Sequence, residues 1–323
     1  MKVLITGAAG FLGSHLAIQH LERGDLVYGV DNMSTALGYD APHFKRLQSY
    51  ENFQFFYDNI HGVSFFEDSL RSFAGVELIY NFACPASPPR YQERPIMTMM
   101  TCVAGTNNVL MLAEAFKARV VHASTSEVYG DPKVSPQCET YRGCVNSYGP
   151  RSCYDEGKRA AEALCFDYRT KYGVDARLVR IFNTYGPHMD PNDGRVVSNF
   201  LCQALRGDPL TIYGDGNQSR SFCYASDLID GITSLAMLPD NPGGPVNIGN
   251  PHEFTIAQLA NVVNELVGNK CGIEYKPFPV DDPLQRRPDI GLANKLFGFN
   301  PRVSLEDGLK LSLPYFREVL NGR

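Results

Sequence analysis

The chain opens with a short β-rich segment, a glycine-rich turn and a helical segment. Residues 2–6 are mostly aliphatic or β-branched, Gly7, Gly10 and Gly13 follow at regular spacing, and residues 14–22 have helical periodicity. The order strand, turn and helix is typical of parallel α/β folds, in which the N-terminus of the first helix faces a bound phosphate.

Each glycine of this turn has a physical reason. Gly7 allows a sharp turn, Gly10 lets the backbone approach a pyrophosphate, and Gly13 lets the helix pack closely on the strand. Phe11 and Leu12 lie within this turn and belong to the same predicted cofactor site. The three-residue spacing of the glycines is similar to the short-chain dehydrogenase/reductase version of this motif.

Polar residues follow the next three β-rich segments. Asp31 and Asn32 end the second, and a carboxylate there would accept from the adenosine ribose hydroxyls and repel a 2′-phosphate. This favours NAD over NADP, although an Asp–Asn pair is also common in turns. Asp58 and Asn59, after the third segment, are predicted to contact adenine, and Ala83, after the fourth, to lie beside the cofactor.

Six β-rich runs alternate with segments of helical length or periodicity. They cover residues 2–6, 26–30, 53–57, 77–82, 119–123 and 176–182. The alternation predicts an α/β fold with a doubly wound parallel Rossmann sheet.

The texture of the chain changes after residue 183, where glycine and proline become frequent. Helices are predicted near residues 196–206, 226–237, 255–268 and 305–320. We expect an NAD-binding Rossmann domain over residues 1–183, rejoined by part of residues 222–250. Residues 184–323 should form a smaller C-terminal α/β region that binds the substrate.

Composition narrows the class of protein. Of the 323 residues, 44% are hydrophobic and 20% are charged, as in soluble globular proteins. The net charge of −5 and the absence of a lysine/arginine run argue against a nucleic acid partner. No signal peptide or unbroken apolar run of membrane-spanning length is present, so we expect a cytoplasmic protein with no membrane partner.

The cysteines and histidines show no metal-ligand spacing. The nine cysteines are scattered, with no Cys-x-x-Cys, and the seven histidines show no paired spacing with them. We therefore predict reduced, mostly packed thiols and no metal.

Tyr154 and Lys158 lie one helical turn apart and so share a helix face. A phenol is a poor base at neutral pH unless a nearby cation favours the phenolate, and Lys158 is placed to do this. The pair suits a hydride-transfer site.

Six sequence blocks carry a resemblance to a known family. They cover residues 84–89 (CPASPP), 124–132 (STSEVYGDP), 151–159 (RSCYDEGKR), 180–187 (RIFNTYGP), 193–200 (DGRVVSNF) and 281–283 (DDP). Over nearly its whole length the chain resembles the extended short-chain dehydrogenase/reductase family, in the nucleotide-sugar epimerase/dehydratase group. Within that group it is most similar to the UDP-glucuronic acid decarboxylase (UDP-xylose synthase) subgroup.

The resemblance implies a Thr125, Tyr154 and Lys158 triad that oxidises C4 of a sugar with NAD as hydride acceptor. It also implies that Ser126, Glu127 and Arg286 act on the ketone so formed. A 4,6-dehydratase would carry an aspartic acid in place of Ser126, to protonate the departing hydroxyl.

The expected activity is therefore NAD-dependent decarboxylation of UDP-glucuronate to UDP-xylose. Oxidation at C4 makes a transient 4-keto intermediate, a β-keto acid that loses carbon dioxide readily. The cofactor is then recycled. Two alternatives stay open: a nucleotide-sugar 4-epimerase or 4,6-dehydratase on the same scaffold, and a catalytically silent NAD(H)-sensing protein.

The substrate's nucleotide end is assigned to amide, guanidinium and aromatic side chains. The candidates are Asn183, Arg195, Tyr213 and Arg220, with Arg286 also placed to grip the pyrophosphate or the sugar carboxylate. Ordinary strand packing is an alternative for Tyr213. The resemblance further implies a homodimer formed through the Tyr154 helix.

Three places depart from the family pattern. Cys102 stands where relatives usually have an asparagine that shapes the nicotinamide side of the site. Residues 33–38 replace a Thr-Gly-Arg-Lys type of loop, and Ser147 and Tyr148 replace Pro-Ile near the expected sugar position.

Overall fold

The structure is a computed structural model that describes residues 1–270, 272–278 and 285–321, so Cys271 and the 281–283 block lie outside the described residues. The described strands are β1 Lys2–Thr6, β2 Leu26–Asp31, β3 Phe53–Tyr57, β4 Leu78–Asn81, β5 Arg119–Thr125, β6 Ala176–Ile181, β7 Thr184–Tyr185, β8 Leu210–Tyr213, β9 Ser219–Ser221, β10 Cys223–Tyr224, β11 Pro245–Ile248, β12 Glu253–Thr255, β13 Ile273–Lys276 and β14 Gln285–Arg286.

The α-helices lie between these strands. In chain order they are α1 Phe11–Glu22, α2 Pro42–Gln48, α3 Phe65–Ser72, α4 Pro88–Glu93, α5 Pro95–Met100, α6 Thr106–Phe116, α7 Ser152–Tyr172, α8 Val196–Arg206, α9 Ala225–Met237, α10 Ile256–Val267, α11 Gly291–Phe297 and α12 Leu305–Asn321. A π-helical turn, Thr101–Gly105, joins α5 to α6, and a 3₁₀ turn, Ser126–Tyr129, follows β5.

Seven parallel strands form the central sheet, in the order β11-β6-β5-β4-β1-β2-β3. The doubly wound Rossmann fold predicted from the sequence is confirmed, as are all six predicted strands. The chain leaves the sheet at the β3 edge and returns at β4, on the other side of β1. Ligands of such sheets bind where the strand order reverses, so this crossover places a crevice at the carboxyl ends of β1 and β4.

The seventh strand, β11, comes from the C-terminal half of the chain and pairs with β6 from Pro245↔Leu178 to Ile248↔Ile181. It was not among the six predicted strands. The domain boundary at residue 183 stays a prediction.

Close packing at the crevice explains two glycines. Gly7 has φ +75°, and a Cβ atom there would lie 2.8 Å from the carbonyl carbon of Phe82. A Cβ atom at Gly13 would lie 2.0 Å from the Gly7 carbonyl oxygen. A larger residue at either position would push β1, β4 and α1 apart.

Helices cover both faces of the sheet. Helices α1, α2, α9 and α11 contribute to one apolar core, and α3, α6 and α7 to the core of the opposite face. Leu16 of α1 and Ile232 of α9 are wholly buried in the first of these cores. Burying one such side chain is worth roughly 1.5–3 kcal/mol. A third core, between α8, α10 and α12, supports the C-terminal region.

A small sheet brings two arginines of the C-terminal region together. Strand β9 pairs antiparallel with β12 and parallel with β14, and Arg220 lies opposite Arg286 in the second pairing. The backbone N–H of Gln137 donates to the carbonyl oxygen of Arg287 at 2.8 Å, which fixes the segment that follows β14.

One helical stretch, Pro95–Phe116, is long and apolar enough to cross a membrane by length and composition. The sequence shows no unbroken apolar run there because threonine and asparagine interrupt it. Half of the stretch is buried in the protein, where α5 and the π-helical turn pack against α7. Such burial is typical of a core helix.

Candidate active site

All the residues predicted for the cofactor, catalytic and substrate sites line one cavity of about 760 Å³ at the carboxyl ends of the sheet strands. On the cofactor side these are Gly7, Gly10, Phe11, Leu12, Gly13, Asp31, Asn32, Asp58, Asn59 and Ala83. On the catalytic and substrate side they are Thr125, Ser126, Glu127, Tyr154, Lys158, Asn183, Arg195, Tyr213, Arg220 and Arg286. Their individual roles stay predictions.

The glycine turn leaves an open cradle at the start of α1. Among the described residues other than the chain neighbours of Gly10, a Cβ atom there would meet only the Gly7 carbonyl oxygen, at 3.3 Å. Asp31 holds this turn in place, because its carboxylate accepts from the backbone N–H groups of Ala9 at 3.0 Å and Met33 at 2.8 Å. Burial raises the pKa of Asp31, and the two backbone hydrogen bonds oppose that rise.

The triad residues converge from two elements. Thr125 ends β5 and its hydroxyl accepts from the backbone N–H of Glu127 at 3.2 Å, whereas Tyr154 and Lys158 lie on α7. The Lys158 Nζ atom donates to the Ala123 carbonyl oxygen at 2.7 Å and lies 5.9 Å from the centre of the Tyr154 ring. The ammonium is therefore fixed between the end of β5 and the phenol.

Burial sets the acidity of the catalytic phenol. Tyr154 is 5% exposed, and burial raises its pKa well above the ordinary value. Hydrogen bonding with Thr125 and the charge of Arg195 act in the opposite direction. The sequence analysis predicted that Lys158 favours the phenolate, and burial acts in the opposite direction. A phenol in this environment holds its proton strongly once it has taken one.

Glu127 lies between two guanidinium groups. Arg286 Nη1 donates to its Oε1 atom, and Arg151 Nη2 donates to Oε2 at 2.5 Å. Burial alone would raise the pKa of this carboxyl, but the charges and hydrogen bonds of the two arginines lower it to about 2. Glu127 is therefore ionised throughout the physiological range.

Arg286 reaches three groups around the end of β5. It is 3% exposed, its Nη1 atom also lies 3.5 Å from Ser126 Oγ, and Nη2 donates to the Gly130 carbonyl oxygen at 3.0 Å. The planar fork of a guanidinium permits these simultaneous contacts. Arg286, on β14 of the C-terminal region, thus places a buried positive charge beside the end of β5.

The proposed nucleotide-binding residues surround the far part of the cavity. Arg195 precedes α8, and its Nη1 atom lies 3.6 Å from Asp193 Oδ2. Arg220 is 8% exposed and donates from Nη1 to the Ser219 carbonyl oxygen at 2.9 Å. Tyr213 ends β8 with 44% of its surface exposed, so ordinary core packing does not account for it.

The sequence analysis did not single out Arg151, Tyr91 or Asp155. The Tyr91 and Tyr154 rings stack with centres 5.0 Å apart and planes 3° from parallel. Burial and the negative charge of Glu127 raise the pKa of Asp155 to about 7. Arg151 and Asp155 lie close to Tyr154 in the sequence, and this proximity could have identified them as site residues. No local sequence pattern indicates that Tyr91 contacts Tyr154.

Sequence comparison identifies the family. A model of the NAD dependent epimerase/dehydratase family matches residues 3–249. The chain belongs to this family. It is 47% identical over 319 residues to UDP-glucuronic acid decarboxylase 1 of Xenopus tropicalis, and the match covers 99% of this chain and 73% of that protein.

Solved structures of epimerases have the same architecture. UDP-glucose 4-epimerase of Thermotoga maritima, with UDP-glucose, has a TM-score of 0.90 and 29% identity, and the match covers 99% of this chain and 100% of that one. UDP-glucuronic acid 4-epimerase of Bacillus cereus, in complex with UDP-glucuronic acid and NAD, has a TM-score of 0.89 and 27% identity over the same shares.

An NAD dependent epimerase/dehydratase must hold a dinucleotide, and the residues of this chain fit one. The open cradle at Gly10 suits a pyrophosphate at the N-terminus of α1, and the Asp31 carboxylate is placed to receive ribose hydroxyls. Among the described residues, no group of three or more histidine, cysteine or acidic side chains is arranged to hold a metal ion.

Proposed function

We propose that this chain is an NAD-dependent carboxy-lyase that converts UDP-glucuronate to UDP-xylose. The relatives that share 45–47% of its residues over nearly its full length are UDP-glucuronic acid decarboxylases. The observation that carries the proposal is the contact of buried Arg286 with Ser126 and Glu127 in the catalytic cavity. A guanidinium there suits a sugar whose C6 is a carboxylate.

Oxidation begins at the triad. Tyr154 takes the proton of the sugar 4-hydroxyl as its phenolate, and the Thr125 hydroxyl orients that group. The Lys158 ammonium, 5.9 Å from the ring centre, favours the phenolate against the effect of burial. NAD, when bound, supplies the hydride acceptor for C4 and later returns the hydride.

Decarboxylation follows from the chemistry of the oxidised sugar. Its C6 carboxylate lies two carbons from the new ketone, so loss of carbon dioxide leaves an enolate on the C4 oxygen. Water then supplies a proton to C5, which gives the 4-ketone that the returning hydride reduces. The Tyr154 phenol, whose pKa burial has raised, retains its proton and donates a hydrogen bond to the enolate oxygen. The ionised Glu127 repels the negatively charged C6 carboxylate of the sugar. This repulsion is relieved when that group leaves as neutral carbon dioxide.

The site lacks the acid that a 4,6-dehydratase needs. Ser126 cannot protonate a departing C6 hydroxyl, and the ionised Glu127 carries no proton to give. A 4-epimerase needs neither Glu127 nor a charged partner for it. The Ser126, Glu127 and Arg286 cluster therefore favours decarboxylation over both alternatives.

Product masses test the proposal directly. Purified protein should be incubated with NAD and UDP-glucuronate, and the product should have lost one carbon dioxide. A 4-epimerase would leave the mass unchanged. A 4,6-dehydratase would not act on UDP-glucuronate, which has no C6 hydroxyl, but would remove water from UDP-glucose or dTDP-glucose. A silent NAD(H)-binding protein would show neither a product nor a transient absorbance from NADH.

We also propose that the protein is a homodimer formed through α5 and α7, which contact each other. Ile96 and Met100 are 80% and 45% exposed and lie one turn apart on α5, and Phe166 of α7 is 58% exposed. Sedimentation should give a dimer mass, and Ile96→Glu should lower it. Val63→Glu, at a fully exposed site outside these helices, is the matched control. A wild-type monomer at micromolar concentration would reject the dimer.

The cytoplasm is the proposed location. All eight cysteines that the structure describes are free thiols, as a reducing compartment would keep them. Cell fractionation tests this, and recovery of the protein in a secreted or membrane fraction would contradict it.

A further inference from the structure

Two cysteine sulfurs lie side by side in the wall of the catalytic cavity. The Sγ atoms of Cys84 and Cys102 are 3.2 Å apart. Cys84 follows β4 and lines the cavity, whereas Cys102 lies in the π-helical turn and is 1% exposed. Neither sulfur has a part in the proposed decarboxylation.

Helix α7, which carries Tyr154 and Lys158, packs against this cysteine pair. A Cβ atom at Gly157 would lie 3.0 Å from the Cβ atom of Cys102 and 3.2 Å from its Sγ atom. Cys102 therefore packs on the backbone of the residue that precedes Lys158. A change at the sulfurs acts directly on the catalytic helix.

The two thiols share a proton unequally. A hydrogen bond with Cys84 lowers the pKa of Cys102, burial opposes this, and the charge of Lys158 lowers it further. Burial raises the pKa of Cys84 well above its ordinary value. Cys102 is therefore the more acidic of the two, and a second thiol lies 3.2 Å from it, an arrangement that favours disulfide formation.

We propose that Cys84 and Cys102 form a reversible disulfide in the cavity wall when the protein meets hydrogen peroxide. One sulfur attacks the peroxide oxygen, and a sulfenic acid forms as the first water leaves. The other sulfur attacks the sulfenic sulfur, and a second water leaves with the disulfide complete. The two thiols lose two electrons and two protons to the peroxide, and a dithiol reductant returns them.

The geometry requires little movement. A disulfide bond is about 2.05 Å long, so the sulfurs must approach by roughly 1.1 Å. A second thiol this close captures the sulfenic acid before more peroxide reaches it. Oxidation beyond the sulfenic acid is therefore suppressed while both cysteines are present.

Disulfide formation also changes the electrostatics of Tyr154. Burial is the main cause of that residue's raised pKa, and negative charge on Cys84 and Cys102 raises it further. The disulfide carries no charge, so the pKa of Tyr154 falls on oxidation.

The experiment uses the purified full chain treated with a small excess of hydrogen peroxide, then blocked with an alkylating reagent and mapped by peptide mass. We expect a peptide pair linking Cys84 to Cys102, with the loss of two hydrogens, that disappears after dithiothreitol. The same treatment of Cys102→Ser or Cys84→Ser should give no linked pair. This readout does not depend on the enzyme's activity.

Cys153→Ser is the matched control, because Cys153 lies near the pair but its Sγ atom contacts the Tyr91 carbonyl oxygen at 3.7 Å instead. It should form the Cys84 to Cys102 link as the wild type does. A link from Cys84 to Cys153, or sulfinic acid on wild-type Cys84 without any link, would overturn the proposal. Absence of a link when the exposed Cys144 is already oxidised would overturn it as well.

Discussion

Arg151, the residue that precedes α7, donates a hydrogen bond from its Nη2 atom to Glu127 Oε2 at 2.5 Å. The helix that carries the catalytic phenol is thereby tied to the carboxylate at the end of β5. Arg286 holds the other carboxylate oxygen from the C-terminal region. Glu127 thus joins three separate parts of the chain at the reacting end of the cavity.

Arg151→Met should raise the pKa of Glu127, because one of the two positive charges that stabilise the carboxylate is removed. The loss of one charge-assisted hydrogen bond should lower kcat by about ten- to a hundredfold. The acid limb of the kcat profile should move to higher pH, where the carboxylate now loses its charge. Arg159→Met, on the same helix outside the cavity, is the control. An unchanged profile in Arg151→Met would remove this residue from the mechanism.

Tyr154→Phe removes the proton acceptor but keeps the ring that stacks on Tyr91. We expect kcat to fall by roughly two to four orders of magnitude, with NAD affinity nearly unchanged in a fluorescence titration. Tyr91→Phe is a matched control because the Tyr91 hydroxyl has no hydrogen-bond partner among the described residues. Near-native turnover of Tyr154→Phe would refute the assignment of the base.

Glu127→Gln should separate oxidation from decarboxylation. The triad stays intact, so the variant should still reduce NAD, seen as absorbance of bound NADH. Release of carbon dioxide should slow at least about tenfold because the negative charge beside the substrate carboxylate is gone. Glu156→Gln, on the outer part of α7, controls for the charge change. Carbon dioxide release at the wild-type rate would show that Glu127 acts elsewhere.

Arg286→Lys should lower activity by at least about tenfold although the positive charge is kept. A lysine ammonium cannot reach Ser126, Glu127 and the Gly130 carbonyl oxygen together. The measurement is kcat/KM for UDP-glucuronate, with Arg287→Lys, which is 42% exposed, as the control. Preserved activity would place Arg286 outside the site.

His15→Gln should make the protein less sensitive to acid. Burial lowers the pKa of His15 from 6.5 to about 4, so below pH 6.5 the unfolded chain binds a proton that the folded chain refuses. The free energy of unfolding therefore falls between pH 6.5 and about 4, by up to about 1.4 kcal/mol per pH unit. Glutamine can still donate to the Pro187 carbonyl oxygen, as the His15 Nε2 atom does at 2.9 Å.

Urea unfolding at pH 7 and pH 4.5 measures this difference. His252→Gln, at an exposed histidine, is the control. Its free energy of unfolding should change between the two pH values as much as that of the wild type. If the free energy of unfolding of His15→Gln and of the wild type changed equally between the two pH values, His15 would have the same pKa in the folded and unfolded chains.

Local sequence pattern was enough to predict six of the seven described strands of the central sheet. The six β-rich runs became β1 to β6, and the spacing of Gly7 and Gly13 followed from backbone packing that allows no Cβ atom. Strand β11 was missed because its four residues carry no periodic signal of their own. Its position depends on pairing with β6, a contact across more than sixty residues of chain.

The residues of the candidate site likewise divide into those that the sequence pattern predicts and those that it does not. Asp31, at the end of the second β-rich segment, was placed from the order of strands and helices, whereas Thr125 was assigned from the family resemblance. Arg286 was assigned from the family resemblance, since an exposed loop was the simpler interpretation of its surroundings. The contact between Cys84 and Cys102 depends on the π-helical turn, which no local pattern indicated.

Because β11 completes the sheet from beyond residue 240, no single cut through the chain yields an intact cofactor-binding half. A fragment that stops at residue 183 would leave β6 as a bare edge, and a bare edge invites strand addition from other molecules and aggregation. Insertion of a reporter domain or a change of termini should therefore be sought in surface turns. The nucleotide-binding and sugar-binding parts are expected to melt in one cooperative transition.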